Sequence, residues 1–187
     1  RQRQMCIRDS QVLGRSSYYV QKMAAENRPT YNVKSNLTMS APQQMEYNAG
    51  RFGFGSWNTQ VEFSDVKVTR ADGTAVPLDL AKSAEQKGTW SLKDGLLSQT
   101  SLETPTKYIV DGFSGNEFTL ECRVRKTGGH EGFFIYFGLS EDNKKGFVYN
   151  VAGWNNQTTA IEGVAEGRTA GVVSDRVEQS LENDQWY

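Results

Sequence analysis

Alternating apolar and polar residues mark most of the chain after residue 50 as β-strand. In residues 118–125 the side chains of Phe118, Leu120, Cys122 and Val124 would share one face of a strand. Shorter runs predict further strands at residues 61–68, 89–92, 96–100 and 107–110. Dipeptides typical of tight turns separate or follow these runs: Asp72-Gly73, Asp94-Gly95, Asp111-Gly112 and Gly128-Gly129.

Two stretches depart from simple alternation. In residues 61–68 the apolar positions slip by one between Phe63 and Val66, which predicts a β-bulge in between. Residues 133–137 are apolar or aromatic throughout, which is typical of a central strand buried on both faces, and residues 146–152 are predicted to be its neighbour. Together these strands predict a mainly β fold, with two antiparallel sheets packed as a jelly-roll β-sandwich.

One helix is predicted before the strands begin. Tyr19 and Met23, and likewise Val20 and Ala24, are spaced so that they form an apolar helical face. Pro29 predicts the end of the helix just before it, since the residue preceding a proline avoids helical geometry. An amphipathic helix of about three turns is not stable alone in water. We therefore interpret it as the edge of a domain that lies N-terminal to this chain.

The first ten residues have a different character. Residues 4–10 read Gln-Met-Cys-Ile-Arg-Asp-Ser, which matches the translation of a transposase-type sequencing adapter. We interpret residues 1–10 as an artefact of sequence assembly, with a polar, disordered N-terminus as the alternative. Neither interpretation gives these residues a function.

The composition argues against several classes of function. The 21 basic and 22 acidic residues are interspersed, so no surface for nucleic acid or an anionic membrane is predicted. No apolar run approaches the roughly 20 residues of a membrane span. Cys122, on the apolar face of its strand, is interpreted as a buried structural thiol, and His130, after two glycines, as a solvated loop residue. No metal or cofactor site is predicted.

Two parts of the sequence resemble one known family. Residues 18–23, followed by Glu-Asn-Arg-Pro at 26–29, are similar to the last barrel helix of α-L-arabinofuranosidases of glycoside hydrolase family 51. Ala24 and Ala25 depart from this pattern, because the family commonly has Phe and Ser there. Residues 50–63 and 153–157 resemble the concanavalin-like β-sandwich of bacterial members, which is itself similar to laminin-G-like and 3-keto-disaccharide-hydrolase-type domains. The resemblance covers nearly everything from Gly14 onward.

This resemblance implies how the parent protein is organised. Residues 11–30 would be the last helix of a truncated (β/α)8 catalytic barrel, residues 31–49 a connecting segment, and residues 50–187 the jelly-roll sandwich. The sandwich would be cut at its C-terminus, because a similar Trp-Tyr opens another strand in the family. The parent would be a bacterial protein, extracellular or periplasmic. Its partners would be plant cell-wall polysaccharide or oligosaccharide and, within the same chain, the missing barrel.

The resemblance also implies a reaction. The parent would be a retaining hydrolase that releases terminal α-L-arabinofuranosyl residues from arabinan or arabinoxylan. Such chemistry needs two carboxyl groups about 5 Å apart, and the family supplies both from barrel strands that would lie upstream of Gln11. No catalytic residue is therefore assigned in this chain, and Glu62, Glu131 and Glu162 are interpreted as solvated surface residues.

Carbohydrate binding is the activity that this segment itself could have. Indole rings stack on the C–H faces of sugars, while amide side chains bind their hydroxyl groups. The candidate residues are Trp154, Asn155, Asn156, Trp57 and Tyr149. The alternative is that Trp154 fills the core or a domain interface. If it binds sugar, we expect it to be partly exposed on a concave sheet face, with Asn155 or Asn156 in the same groove.

Two classes of function remain open. The first is an enzyme fragment with the sandwich as an accessory domain, and the second is a non-catalytic, lectin-like module preceded by a linker. The apolar helical face within residues 18–29 favours the enzyme fragment, since a linker has no use for one. A third possibility, that the sandwich acts on 3-keto sugars, finds no acid, base or metal cluster in the sequence to support it.

We predict that the chain expressed from Val12 aggregates or is only marginally stable, because a cut sheet exposes unpaired strand edges. Size-exclusion chromatography and thermal unfolding would measure this. A monodisperse sample with a cooperative transition would contradict the prediction.

Overall fold

In the computed structural model, residues 50–187 are described, and they form two antiparallel sheets packed face to face. This confirms the predicted mainly β sandwich. The predictions for residues 1–10, 11–30 and 31–49, including the barrel helix, lie outside the described residues.

Strands make up most of the described part. In chain order they are β1 (Arg51–Ser56), β2 (Thr59–Arg70), β3 (Ala75–Val76), β4 (Ser83–Lys87), β5 (Trp90–Lys93), β6 (Leu96–Gln99), β7 (Lys107–Val110), β8 (Phe118–Gly129), β9 (Phe133–Leu139), β10 (Gly146–Ala152), β11 (Thr158–Ala165), β12 (Arg168–Val172) and β13 (Val177–Glu178). A single helical turn, α1 (Gly153–Asn156), joins β10 to β11.

The two sheets differ in size. In the large sheet the strands lie in the order β4-β7-β1-β9-β10-β11-β12, and β13 also pairs with β11. In the small sheet β2 pairs with β8 along its whole length, and β6 and β3 share its other side, with β5 beyond β6. The predicted neighbours, β9 and β10, pair in register from Phe133 with Val151 to Phe137 with Phe147.

The main core lies between the sheets and is built from aromatic rings. Phe54 of the large sheet is fully buried, and its ring centroid lies 4.5 Å from that of Phe63 in the small sheet. Phe133 meets Phe63 edge-on at 6.0 Å, and Phe52 meets Phe113 at 5.5 Å in a similar geometry. Such offset and edge-on contacts are the favoured ones for aromatic pairs.

The large sheet buries a second cluster on its outer face, which points away from the small sheet. The cluster consists of Ile109, Phe134, Tyr136, Leu139, Val148 and Val164. Because Phe133 and Ile135 belong to the inner cluster and Phe134 and Tyr136 to the outer one, β9 is buried on both sides, as its sequence predicted. Gly53 and Gly55 of β1 make room for this: a Cβ there would lie 2.7 Å from Ile109 Cδ1 and 2.9 Å from Tyr136 Cε2.

The bulge predicted in β2 is also present. The pairing of β2 with β8 shifts between Ser64 and Lys67, and Asp65 adopts a positive φ of 52°. The extra residue allows both Phe63 and Val66 to pack against the inner core, which resolves the slip in the pattern.

A cleft lies between the sheets on the side where β8 is the edge of the small sheet. Its volume is about 930 Å³, and its apolar lining includes Phe118, Leu120 and Cys122 of β8 facing Phe137 and Tyr149 of the large sheet. The last residues of the chain add to the free edge of β8: Tyr187 exchanges two backbone hydrogen bonds with Val124, at 2.9 and 3.0 Å. This pairing covers only one end of the β8 edge.

Replacement of Phe54 by Ala should lower the free energy of unfolding by about 3 to 5 kcal/mol, because it leaves a cavity where the two sheets meet. Urea unfolding followed by tryptophan fluorescence measures the change. The matched control is Leu102→Ala, since Leu102 is 53% exposed, and we expect it to stay within about 0.5 kcal/mol of the wild type. Equal losses in both variants would show that Phe54 is not a core residue.

Candidate functional site

A cavity of about 260 Å³ lies on the outer face of the large sheet, where β10 runs into α1. It is lined by Trp57, Glu131, Phe134, Asn150, Trp154, Glu162 and Thr169. We call it the tryptophan cavity. It brings together two indole rings, two carboxylates and an amide, which come from five separate parts of the chain.

An unusual backbone turn carries Trp154 to this cavity. Ala152, Trp154, Asn155 and Asn156 all have φ between 50° and 64°, so the chain turns in the left-handed sense. This conformation strains most residues, although Asn tolerates it better than others. The turn also passes close over Asn150, because a Cβ on Gly153 would lie only 2.5 Å from the Asn150 amide. Arg176 covers part of the indole, its guanidinium carbon 4.2 Å from the ring centroid of Trp154.

Asn150 is the buried polar residue of the cavity. Its side chain is 5% exposed, and its Nδ2 donates a 2.9 Å hydrogen bond to Glu162 Oε1 on the neighbouring strand. This bond fixes the orientation of the amide, because a carboxylate can only accept. The Oδ1 atom has no donor within the described structure. A buried acceptor without a partner costs about 1 to 3 kcal/mol, so this oxygen lowers the stability of the fold locally.

Hydrogen bonds hold the other side of the cavity together. Thr59 Oγ1 donates to the carbonyl of Trp57 at 2.8 Å and accepts from the backbone N–H of Glu131 at 2.8 Å. Glu131 in turn accepts a hydrogen bond from the backbone N–H of Asn155 at 3.3 Å. The turns that carry Trp57, Glu131 and Trp154 are therefore linked directly, and the walls of the cavity are set by contacts within the fold.

A second cavity, of about 680 Å³, adjoins the first, and the two share Trp57 and Thr169. We call it the lysine cavity, after Lys107 in its lining. Lys107 is nearly buried and its Nζ contacts Glu85 Oε1 at 2.9 Å and the carbonyl of Gly167 at 3.2 Å. The backbone N–H of Gly167 also donates to Lys144 O at 3.0 Å. These bonds hold the β11–β12 hairpin over the outer face of the sheet.

The structure brings together some of the predicted binding residues and separates others. Trp57 and Trp154 line one cavity, as a shared site requires. Asn155 contributes through its backbone, and its side chain is exposed. Asn156 is directed elsewhere, because its side chain exchanges hydrogen bonds of 3.0 and 2.9 Å with the backbone of Leu181. Tyr149 lies on the opposite face of the sheet and lines the apolar cleft.

Sequence reasoning did not select Asn150, Glu131, Glu162 or Thr169 for the site. Glu131 and Glu162 were expected to be solvated surface residues, but both are partly buried and line the tryptophan cavity. For Asn150 a local signal existed. Neighbouring residues of a strand point to opposite faces, so only one of Tyr149 and Asn150 could lie in the same groove as Trp154. The remaining residues are brought in by strand pairing and by turns distant in sequence.

The other candidate reactive groups lie apart from both cavities. Cys122 packs with Leu120 against the inner core, and burial raises the pKa of its thiol to about 11. His130 is exposed, as expected for a solvated loop residue. Within residues 50–187 no group of three His, Cys, Asp or Glu side chains is placed to hold a metal ion. Nor does that part of the chain contain a helix long and apolar enough to cross a membrane.

The comparisons with known proteins point to one enzyme. No family model and no solved structure matches the chain. It is similar to an extracellular exo-alpha-L-arabinofuranosidase of Streptomyces chartreusis, with 31% identity over 159 residues. The match covers 81% of this chain but only 19% of the relative, so the chain spans about a fifth of its length. The chain is related to an arabinofuranosidase. Because arabinofuranosidases are glycoside hydrolases, the chain is related to that class of enzyme.

We predict that Cys122 reacts with an aromatic disulfide reagent at pH 8 roughly 100-fold more slowly in the folded chain than in urea. The raised pKa leaves less thiolate in the folded state, and the thiolate is the reactive form. The measurement uses a Cys6→Ser background, so that Cys122 is the only thiol. Because the folded pKa lies above the ordinary value of 9.0, this thiol's contribution to stability is complete below pH 9 and falls as the pH rises toward 11. Equal rates in the two states would show an accessible, ionised thiol.

Proposed function

We propose that this chain is part of a secreted α-L-arabinofuranosidase and that its β-sandwich is an accessory domain that binds carbohydrate. The relationship to an extracellular arabinofuranosidase supports the enzyme class and the location. One observation supports the binding role: two tryptophans from distant turns line the same cavity as a buried amide and two carboxylates.

This combination of groups suits a sugar. The apolar C–H faces of a sugar ring pack on indole, while its hydroxyl groups both donate and accept hydrogen bonds. Trp57 is 37% exposed and Trp154 is partly exposed, so both rings are accessible from the cavity. The carboxylates of Glu131 and Glu162 would accept hydrogen bonds from sugar hydroxyls. Their arrangement gives a hydroxyl-rich ligand more hydrogen bonds than an apolar one.

The alternative role for the tryptophans is packing, and Trp90 shows what that role looks like in this fold. Trp90 packs against the inner core, with its ring centroid 5.2 Å from that of Tyr108 and 6.3 Å from that of Phe63. Trp57 and Trp154 belong to neither buried cluster. Their position outside both clusters supports ligand binding over core filling.

We place catalysis in another part of the enzyme. The retaining mechanism requires one carboxyl group as nucleophile and a second as acid and base, on either side of the scissile bond. We propose that both are glutamates of a barrel preceding Gln11. In the tryptophan cavity, Glu162 accepts from the Asn150 amide and Glu131 from the Asn155 backbone. These contacts suit the carboxylates for positioning hydroxyl groups.

A free-standing, lectin-like module remains the second candidate function. It shares the cavity and would bind the same class of ligand. The extent of the match favours the enzyme, because 81% of 187 residues is longer than the stretch 50–187, so the similarity continues N-terminal to Gly50. Part of the segment that precedes the sandwich is therefore also similar in sequence to the arabinofuranosidase.

Trp154→Ala and Trp57→Ala should each weaken binding of the chain to an arabinose-bearing polysaccharide by roughly 1 to 3 kcal/mol, the range for stacking on a planar ring. Affinity electrophoresis in gels containing arabinoxylan measures the change. The matched control is Tyr149→Ala, since Tyr149 is an exposed aromatic residue on the opposite face. It should leave the affinity unchanged.

In an enzyme that contains the barrel, the same tryptophan variants should leave turnover of a small aryl arabinofuranoside unchanged. Loss of retention on the polysaccharide together with loss of aryl turnover and a lower melting temperature would identify the tryptophans as packing residues. Loss of retention in Tyr149→Ala alone would move the site to the apolar cleft.

A further inference from the structure

The two cavities on the outer face share a wall, and each is lined by a buried asparagine whose side-chain oxygen has no donor within residues 50–187. We infer that they are adjoining subsites of one groove, which holds a neutral oligosaccharide of at least two sugar units across Trp57. This inference rests on the proposed carbohydrate-binding function and extends it from a single sugar ring to a chain.

The first support is a pair of asparagines. Asn150 lines the tryptophan cavity and is 5% exposed, and Asn143 lines the lysine cavity and is 6% exposed. In both, the side-chain Oδ1 has no donor within residues 50–187. The other two atoms of this kind in that range, in Gln99 and Thr158, line neither cavity. Buried acceptors are normally paired, so each cavity is lined by one side chain whose acceptor is unused within the fold.

The second support is continuity between the cavities. Trp57 and Thr169 belong to the lining of both, so a ligand can pass from one to the other along the same residues. At about 260 Å³ the tryptophan cavity is smaller than the roughly 300–1,000 Å³ of most small-molecule sites. It therefore suits one sugar ring, whereas the lysine cavity, at about 680 Å³, has room for at least one more.

The charges of the lysine cavity indicate a neutral ligand. Its lining contains basic residues, but acidic ones accompany them, and Lys107 is already bound to Glu85 and to the carbonyl of Gly167. Asp142 accepts from Ser140 and from the backbone N–H of Lys144, which lowers the pKa of this carboxyl and keeps it ionised. Hydroxyl groups fit such a mixed lining better than a net charge does.

The groove is also preorganised. Gly167, at the tip of the β11–β12 hairpin, is bound on one side to Lys144 O and on the other to Lys107 Nζ. These bonds place Thr169, which follows on β12, at the junction of the two cavities. A preorganised groove needs little ordering of its side chains and loops when a ligand binds, so less of the binding free energy is spent on that ordering.

The test compares two probes: methyl α-L-arabinofuranoside, with one ring, and an α-1,5-linked arabinotriose. Calorimetry and amide NMR titrations measure affinity and location. They use the 187-residue chain where it is monodisperse, and otherwise an enzyme that contains the barrel. We expect the trisaccharide to bind at least ten-fold more tightly. The Trp57 indole N–H should shift with both probes, whereas the backbone N–H groups of Lys144 and Gly167 should shift with the trisaccharide alone.

Asn143→Gly isolates the second subsite. Asn143 has a φ of 58°, which glycine adopts without strain, so the variant removes the amide and preserves the turn. It should lower the trisaccharide affinity several-fold and leave that of the single-ring probe unchanged. Asp94→Gly is the matched control, because Asp94 also has a positive φ, is exposed and lines neither cavity.

The outcomes separate the two proposals. Equal affinities for both probes, or an Asn143→Gly variant that binds the trisaccharide as the wild type does, would overturn the two-subsite groove and leave a single sugar site. Absence of binding for both probes, in a chain whose unfolding is cooperative, would overturn the carbohydrate-binding function itself.

Discussion

The large sheet buries apolar side chains on both of its faces, and the rest of the described structure depends on this constraint. Its inner face makes the sandwich core with the small sheet, and its outer face carries a second buried cluster around Phe134 and Tyr136. Two buried faces require that something cover the outer one. The β11–β12 hairpin, held through Gly167 to Lys107 and Lys144, contributes to this cover, while the glycines of β1 leave room for Ile109 and Tyr136.

The candidate site lies where the outer cluster ends. Along β10 the outward-facing residues run from Val148, which is fully buried in the cluster, to Asn150, which lines the tryptophan cavity. The site thus combines a rigid, dry base with polar groups at its mouth. Hydrogen bonds are stronger in such surroundings, and an unpaired acceptor costs more.

The relationship to an arabinofuranosidase and the geometry of the cavities are independent observations that are consistent with each other. The first concerns similarity along the chain, and the second concerns groups that meet only after folding. The accessory binding role proposed above would raise the effective concentration of substrate, because linked binding events act in this way.

Local sequence determined much of the fold. The alternation of β8, the two-sided burial of β9 and the bulge of β2 are each set by the spacing of apolar residues within one strand, so they could be predicted. Trp57 and Trp154 could be named as candidates because their residue type suits a sugar. Tertiary structure decided which residues join them. Asn150 meets Glu162 through strand pairing, Asn156 turns away to Leu181, and Tyr149 faces the cleft. The first two outcomes depend on contacts between segments 12 or more residues apart and on a left-handed turn, and no local pattern encodes such contacts. The alternation within β10, by contrast, already separates Tyr149 from Asn150.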